Sequence, residues 1–127
     1  MHIRSAGMDV VTRENNCDLR RIYPWSGVVV PPWNSSLVAV RPQDSTTRHS
    51  HPTDETFIFT AGQGLVTVDG DEAAEPVTAG DVVYVPGGQE HVVTNTSPSE
   101  TLTFVSIFWL QPTHQQATAP AGPGEPR

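Results

Sequence analysis

The sequence predicts a single all-β domain, and three observations lead to that prediction. A chain of 127 residues is long enough for one domain with one modest hydrophobic core. Twelve prolines, ten glycines and a hydrophobic fraction of 36% disfavour a helical bundle. Runs of β-branched and aromatic residues recur with turn signals about every 8 to 12 residues, which is typical of a sandwich or barrel of about eight short strands.

The first 18 residues mix charged, polar and small side chains without a clear period. We interpret residues 1–18 as a flexible N-terminal arm and expect the folded domain over residues 19–111. Two runs at 22–25 and 28–33 are interrupted or bounded by proline, as edge strands and strand ends often are. The further predicted strands are the runs at 37–40, 56–60, 65–68, 82–85, 91–94 and 102–110.

The pair Asp69-Gly70 between two of these runs is a strong signal for a two-residue hairpin. The run at 102–110 is the longest apolar segment, which indicates a strand buried on both faces. Its pattern does not decide which of the two faces points into the domain. Residues 112–127 are rich in proline, alanine and glycine, and we expect a disordered tail because they can bury little apolar area.

Charge and cysteine content narrow the classes of function. The formal net charge is −7, whereas a nucleic-acid binder usually carries clustered positive charge, so we expect no nucleic-acid partner. Cys17 is the single cysteine, which excludes an intrachain disulfide and is compatible with a cytoplasmic location. No apolar run approaches the roughly 18 to 20 residues that cross a bilayer, and we expect no membrane partner.

Three histidines and one glutamate of the predicted domain form a candidate metal centre. His49 and His51 would share one face of a strand, because alternate side chains of a strand point the same way. Glu55 opens the next strand, and His91 begins a later one. Imidazole and carboxylate ligands suit several transition metals. A His-x-His pair by itself is more often a surface or packing feature, so the prediction depends on the complete set.

The spacing of these residues carries a family resemblance. The chain contains His49-x-His51-x₃-Glu55-x₆-Gly62 and, further on, Gly80-x₅-Pro86-x-Gly88-x₂-His91-x₃-Asn95. These segments resemble the two signature motifs of the cupin superfamily, and the resemblance covers roughly residues 37–110. One position departs from the pattern: Gln43 stands where the family often has a glycine.

The resemblance implies a small cupin β-barrel, that is, a double-stranded β-helix or jelly roll. It also implies one divalent metal, among Zn, Fe, Mn, Ni, Co and Cu, held by His49, His51, Glu55 and His91. Small cupins of this type often form homodimers, and we expect one here. For the pocket beside the metal we expect five aromatic side chains: Phe57, Phe59, Tyr84, Phe104 and Phe108.

Three interpretations of function are open from the sequence. The first is a metal-dependent enzyme that oxygenates, isomerises or rearranges a small metabolite in the barrel. The second follows from a likeness to cupins of bacterial natural-product pathways: a zinc cupin that assists N–N bond formation with an aminoacyl-activating partner. The third is a binding protein that holds a small molecule without converting it.

Overall fold

The computed structural model describes residues 1–69 and 74–111 of the chain. These residues form nine strands and one short 3-10 turn at Ala6–Met8, which confirms the predicted all-β class. The strands are β1 Val11–Glu14, β2 Cys17–Tyr23, β3 Asn34–Val40, β4 Asp54–Ala61, β5 Gln63–Val68, β6 Glu75–Thr78, β7 Val82–Val85, β8 His91–Asn95 and β9 Leu102–Trp109. The expected tail, 112–127, and Gly70 of the predicted hairpin lie outside the described residues.

The nine strands form two antiparallel sheets. The larger sheet has the order β1-β2-β3-β9-β4-β7, and the smaller has the order β6-β5-β8. Two isolated bridges, Ser45 to Thr94 and His49 to His91, attach the segment between β3 and β4 to the smaller sheet. Strands that are far apart in sequence therefore become neighbours, and β9 lies between β3 and β4.

One cluster of buried side chains joins the two sheets. The larger sheet contributes Phe57, Phe59 and Phe104, and the smaller sheet contributes Val66 and Val93. Because the buried residues of a strand alternate, each sheet turns one apolar face toward the other. The buried residues of the two sheets also include polar side chains, among them Glu55, His91 and Ser106.

The structure decides which face of β9 points inward. Leu102, Phe104 and Ser106 are buried, whereas the alternating residues Thr103, Val105 and Ile107 are only partly buried. The strand is therefore not equally buried on both faces, as its composition had suggested. The inward face is the one that carries Phe104 and Ser106.

The N-terminal region differs from the expected arm. Residues 11–14 and 17–18 belong to β1 and β2, which pair as a hairpin at the edge of the larger sheet. Asn15 and Asn16 connect them with φ angles of 52° and 59°, a conformation that asparagine tolerates better than most residues. The boundary expected between residues 18 and 19 thus falls inside β2.

Two other segments differ from the strands that were expected. The run at 28–33 contains no regular strand; only Val29 forms a bridge, to Trp25. Pro31 and Pro32 lack the backbone N–H groups that a strand ladder needs. His49 and His51 also lie outside the regular strands, in an extended segment that the bridge at His49 holds in place.

Candidate metal centre

Backbone hydrogen bonds between two distant segments bring the candidate ligands together. The N–H of His91, the first residue of β8, donates to the carbonyl of His49 over 3.1 Å. The N–H of Gly88 donates to the carbonyl of His51 over 2.7 Å. Glu55 is the second residue of β4, three residues after Pro52. The two segments with the cupin-like spacing therefore face each other across the centre.

The side chains of this group converge on one point. Each of His49, His51 and His91 places one ring nitrogen within 4.8 Å of the other two. Glu55 Oε1 lies 3.0 Å from His51 Nε2 and 3.4 Å from His91 Nε2. Ligands about 2.1 Å from one ion are separated by about 3.0 Å at an angle of 90° and about 3.4 Å at the tetrahedral angle. The separations of Glu55 Oε1 from the two histidine nitrogens match those of adjacent ligands around one metal.

All three imidazole rings are oriented by carbonyl groups close to them in sequence. A carbonyl oxygen accepts a hydrogen bond, so the Nδ1 that faces it carries the proton. With the proton on Nδ1, Nε2 is the ring nitrogen that a metal can bind, and in His51 and His91 it is also the nitrogen that faces Glu55. The Nδ1 contacts with carbonyl oxygens are His49 to Thr47 at 2.7 Å, His51 to Thr53 at 3.2 Å and His91 to Gln89 at 3.1 Å. Nδ1 of His51 also lies 2.7 Å from the hydroxyl of Thr53.

Glu55 is a buried carboxylate with both oxygens engaged. Its Oε1 faces the two histidines, and its Oε2 accepts a hydrogen bond from the hydroxyl of Ser106. Burial raises the pKa of Glu55, but hydrogen bonds from His91 and Ser106 outweigh it and hold the pKa below the usual 4.5. Glu55 is therefore ionised, which is the state that a metal ligand requires.

The pKa of His91 shifts in the opposite direction to that of Glu55. Burial lowers the pKa of its imidazole, while the hydrogen bonds to Glu55 and to the Gln89 carbonyl raise it, and the net shift is upward. Three imidazoles and one carboxylate form a donor set of nitrogen and oxygen that suits zinc, iron, manganese and related ions. The residues present thus fit one divalent metal, and His49, His51, Glu55 and His91 would hold it.

A cavity of about 310 Å³ opens at this centre. Of the five aromatic residues expected beside the metal, Phe57, Phe104 and Phe108 line this cavity. Phe59 does not, because it is 1% exposed and packs within the core against Phe104 at a ring-centroid distance of 5.0 Å. Tyr84 does not line it either. It pairs with Thr56, which points away from the interior because its neighbours Glu55 and Phe57 point inward, and Tyr84 is 43% exposed.

The N-terminal hairpin contributes residues that the sequence had not indicated. The side of the cavity formed by β1 and β2 is lined by Glu14, Asn15, Cys17, Leu19 and Arg21. The hairpin also supports a ligand: the carbonyl of Asn15 accepts the N–H of Thr47, whose own carbonyl orients His49. The signal for this hairpin was present in the alternating residues on both sides of Asn15-Asn16, a pair that tolerates a tight turn.

Residues 36–108, more than half of the chain, match the family model described as "Cupin domain". The chain is a cupin. Its fold is accordingly the cupin β-barrel, built from the two sheets described above. The N-terminal hairpin precedes the segment that the family model matches.

Solved structures agree with this membership. The cupin is similar to the plu4264 protein from Photorhabdus luminescens, with 33% identity and a TM-score of 0.75 over 84% of this chain and 86% of that one. It is also similar to a Cupin 2 conserved barrel domain protein from Salinispora arenicola, with 33% identity and a TM-score of 0.76 over 86% and 88% of the two chains.

A third solved structure with a similar fold is that of a protein named as a polyketide cyclase. The polyketide cyclase RemF from Streptomyces resistomycificus has a TM-score of 0.71 and 18% identity, over 85% of this chain and 78% of that one. At this identity the likeness concerns the fold alone.

A comparison with curated proteins found no match. Among the described residues, no helix is long and apolar enough to span a membrane.

Proposed function

We propose that this cupin is a metal-dependent enzyme that converts a small molecule inside the barrel. The proposal rests on two features that occur together, a set of potential metal ligands and a cavity beside it. Four potential ligands, His49, His51, Glu55 and His91, converge at the wall of a cavity of about 310 Å³. That volume suits a small metabolite.

The donor set supports catalysis more than storage. Four protein ligands leave open positions on an ion that accepts five or six, so a bound metal would supply Lewis-acid or redox chemistry to a molecule in the cavity. The phenyl rings of Phe57, Phe104 and Phe108 form an apolar wall beside the centre. Such a wall excludes water and strengthens the electrostatic interactions of the few polar groups there.

The protein's own residues keep this centre rigid. Ser106 holds one oxygen of Glu55, and the backbone carbonyl groups beside the histidines hold their rings. Preorganised groups of this kind lower the cost of arranging charge during a reaction. Oxygenation, isomerisation and rearrangement are each compatible with the site. RemF, a cupin-fold protein named as a polyketide cyclase, shows that this fold is used for catalysis.

Metal content of the purified protein tests the centre. We expect near-stoichiometric divalent metal in the native protein and in His2→Ala, because His2 is exposed and far from the site in sequence. His91→Ala should lose the metal, since it removes a buried ligand. Metal that is retained in His91→Ala, or is absent from the native protein even after reconstitution, would contradict the proposal.

Conversion of small molecules tests the enzymatic part. The metal-loaded protein is incubated with a bacterial metabolite extract, and mass spectrometry follows which compounds are consumed. We expect consumption by the native protein and by His2→Ala, and none by His91→Ala. Tight retention of a compound without any change in its mass or isomeric form would instead favour a binding protein.

A further inference from the structure

A row of polar residues crosses the inner face of the larger sheet. Arg21 on β2 pairs with Ser36 on β3, and Ser36 pairs with Ser106 on β9. All three line the cavity. Ser106 donates to Glu55, so the row leads from the candidate metal centre to the N-terminal hairpin. The apolar rings of the cavity thus face a polar track that ends at an arginine.

Arg21 is held in place by one edge of its guanidinium group. Its Nη1 and Nη2 donate to the two carboxylate oxygens of Glu14 over 2.6 and 2.9 Å, and Nη1 also contacts the hydroxyl of Thr12 at 3.3 Å. The Nε–H and the second Nη2–H form the other edge, and they make no hydrogen bond with any described residue. A guanidinium edge of this kind binds a carboxylate through two parallel hydrogen bonds.

Ser36 adds a second polar group without a partner. It is 6% exposed, and within the described part of the chain its hydroxyl makes no hydrogen bond although it lines the cavity. A hydroxyl on the cavity wall can donate and accept a hydrogen bond, so it is available to a ligand there. Ser36 lies one strand from Arg21, so one molecule can reach both.

The charged side chains that line the cavity are Arg21, Glu14 and Glu55, and of these Arg21 keeps hydrogen-bond donors without a partner. Arg21 is the only arginine or lysine among the described residues that line the cavity. The two carboxylates are already engaged, since Glu14 pairs with Arg21, and Glu55 with Ser106 and the histidines. An incoming cation would meet no free carboxylate there.

We propose that Arg21 anchors a carboxylate group of the substrate, so that the cavity takes small carboxylic acids with an apolar body. That the acid is a substrate rests on the proposed function, whereas its binding at Arg21 requires no turnover. Adjacent strands are about 4.8 Å apart, so Arg21 on β2 and Ser106 on β9 are separated by about 10 Å. An acid of that length would lie along Ser36 with its far end near Glu55.

Binding of matched acids and amides tests this assignment. Acetate, hexanoate and phenylacetate are titrated into the full-length protein, each beside its neutral amide, with NMR detection of the Arg21 Nε–H signal and of the ligand. We expect at least one acid to bind about tenfold more tightly than its amide and to shift the Arg21 signal. Binding of no acid in preference to its amide would overturn the proposal.

Three variants identify the group that is responsible. Arg21→Gln and Arg21→Lys should each lose about tenfold in acid binding while amide binding stays unchanged, because lysine keeps the charge but not the paired donors. Arg41→Gln is the matched control: Arg41 is equally exposed, 60% against 61%, and is also paired with a carboxylate, that of Asp18, but it does not line the cavity. Equal losses in the Arg41 and Arg21 variants would overturn the proposal.

Metal content is measured in every sample, which separates this inference from the proposed function. In metal-free His91→Ala, the preference for the acid over its amide should persist, since Arg21 is unchanged. Loss of the preference there would show that the metal, not Arg21, holds the carboxylate, and the inference would fail. Persistence of the preference in a native protein that binds no metal would support Arg21 while contradicting the metal-dependent enzyme.

Discussion

Gly87 lies where the two ligand-bearing segments touch, and its substitution by alanine tests the rigidity of the centre. A Cβ atom at Gly87 would lie 2.5 Å from the carbonyl oxygen of Pro52, the residue that follows His51. On the other side, Gly88 donates its N–H to the carbonyl of His51, and His91 follows three residues later. Gly87→Ala must therefore push apart the segments that carry His51 and His91.

The size of the effect follows from these distances. Ordinary Cβ contacts begin at 3.4 Å, so a contact of 2.5 Å must open by about 0.9 Å. Both atoms involved belong to the backbone or are fixed to it, so side-chain rotation cannot relieve the overlap. Metal ligands tolerate displacements of about 0.2 Å. We expect metal affinity to fall about tenfold to a hundredfold, as for other losses of ligand support, and stability to fall by about 1 to 3 kcal/mol.

Competition with a chromophoric chelator measures metal affinity, and denaturant unfolding of the metal-free protein measures stability. Gly80→Ala is the control: nothing lies within 4 Å of its Cβ, but its φ of 95° makes alanine unfavourable by about 1 to 2 kcal/mol. Gly80 precedes β7, whereas Gly87 follows it. Gly80→Ala should lose stability and keep metal affinity. Unchanged metal affinity in Gly87→Ala would refute the reasoning.

Two further predictions concern the polar groups of the cavity. Ser106→Ala should weaken metal binding about tenfold, because Glu55 loses the hydroxyl that orients it, whereas Ser35→Ala, a buried serine on the opposite face, should not; equal chelator-competition curves for the two variants would contradict this. The hydrogen bonds from Arg21 and Thr12 lower the pKa of Glu14 to about 2 from its usual 4.5. Because the folded-state pKa is the lower one, the pair stabilises the protein above about pH 4.5, and this contribution disappears as the pH falls toward 2. The difference in urea midpoint between native protein and Glu14→Gln should shrink over that range, and a constant difference would speak against the pair.

Part of what the sequence predicts is neither confirmed nor contradicted here. The homodimer stays a prediction, which light scattering of the purified protein tests. The cytoplasmic location and the identity of the metal also stay predictions. A metal cofactor is supported by three histidines whose ring nitrogens are close enough to hold one ion.

The class of fold and the candidate metal centre were predictable from the amino-acid sequence. Short β-forming runs separated by glycine and proline predict an all-β domain, because strand and turn preferences are local. The spacing of His49, His51, Glu55 and His91 predicted a shared centre, and the structure brings these residues together. The prediction depended on a family pattern, since His91 lies 36 positions after Glu55 and no local rule joins them.

Which other residues reach the cavity depends on how the strands pair and pack in three dimensions. The inward face of β9, the outward position of Tyr84 and the row from Arg21 through Ser36 to Ser106 all follow from the register between strands distant in sequence. A shift of one residue in that register would reverse every one of these side chains, because a strand alternates its faces with a period of two. Composition carries no information about this register, which the packing of one sheet against the other selects.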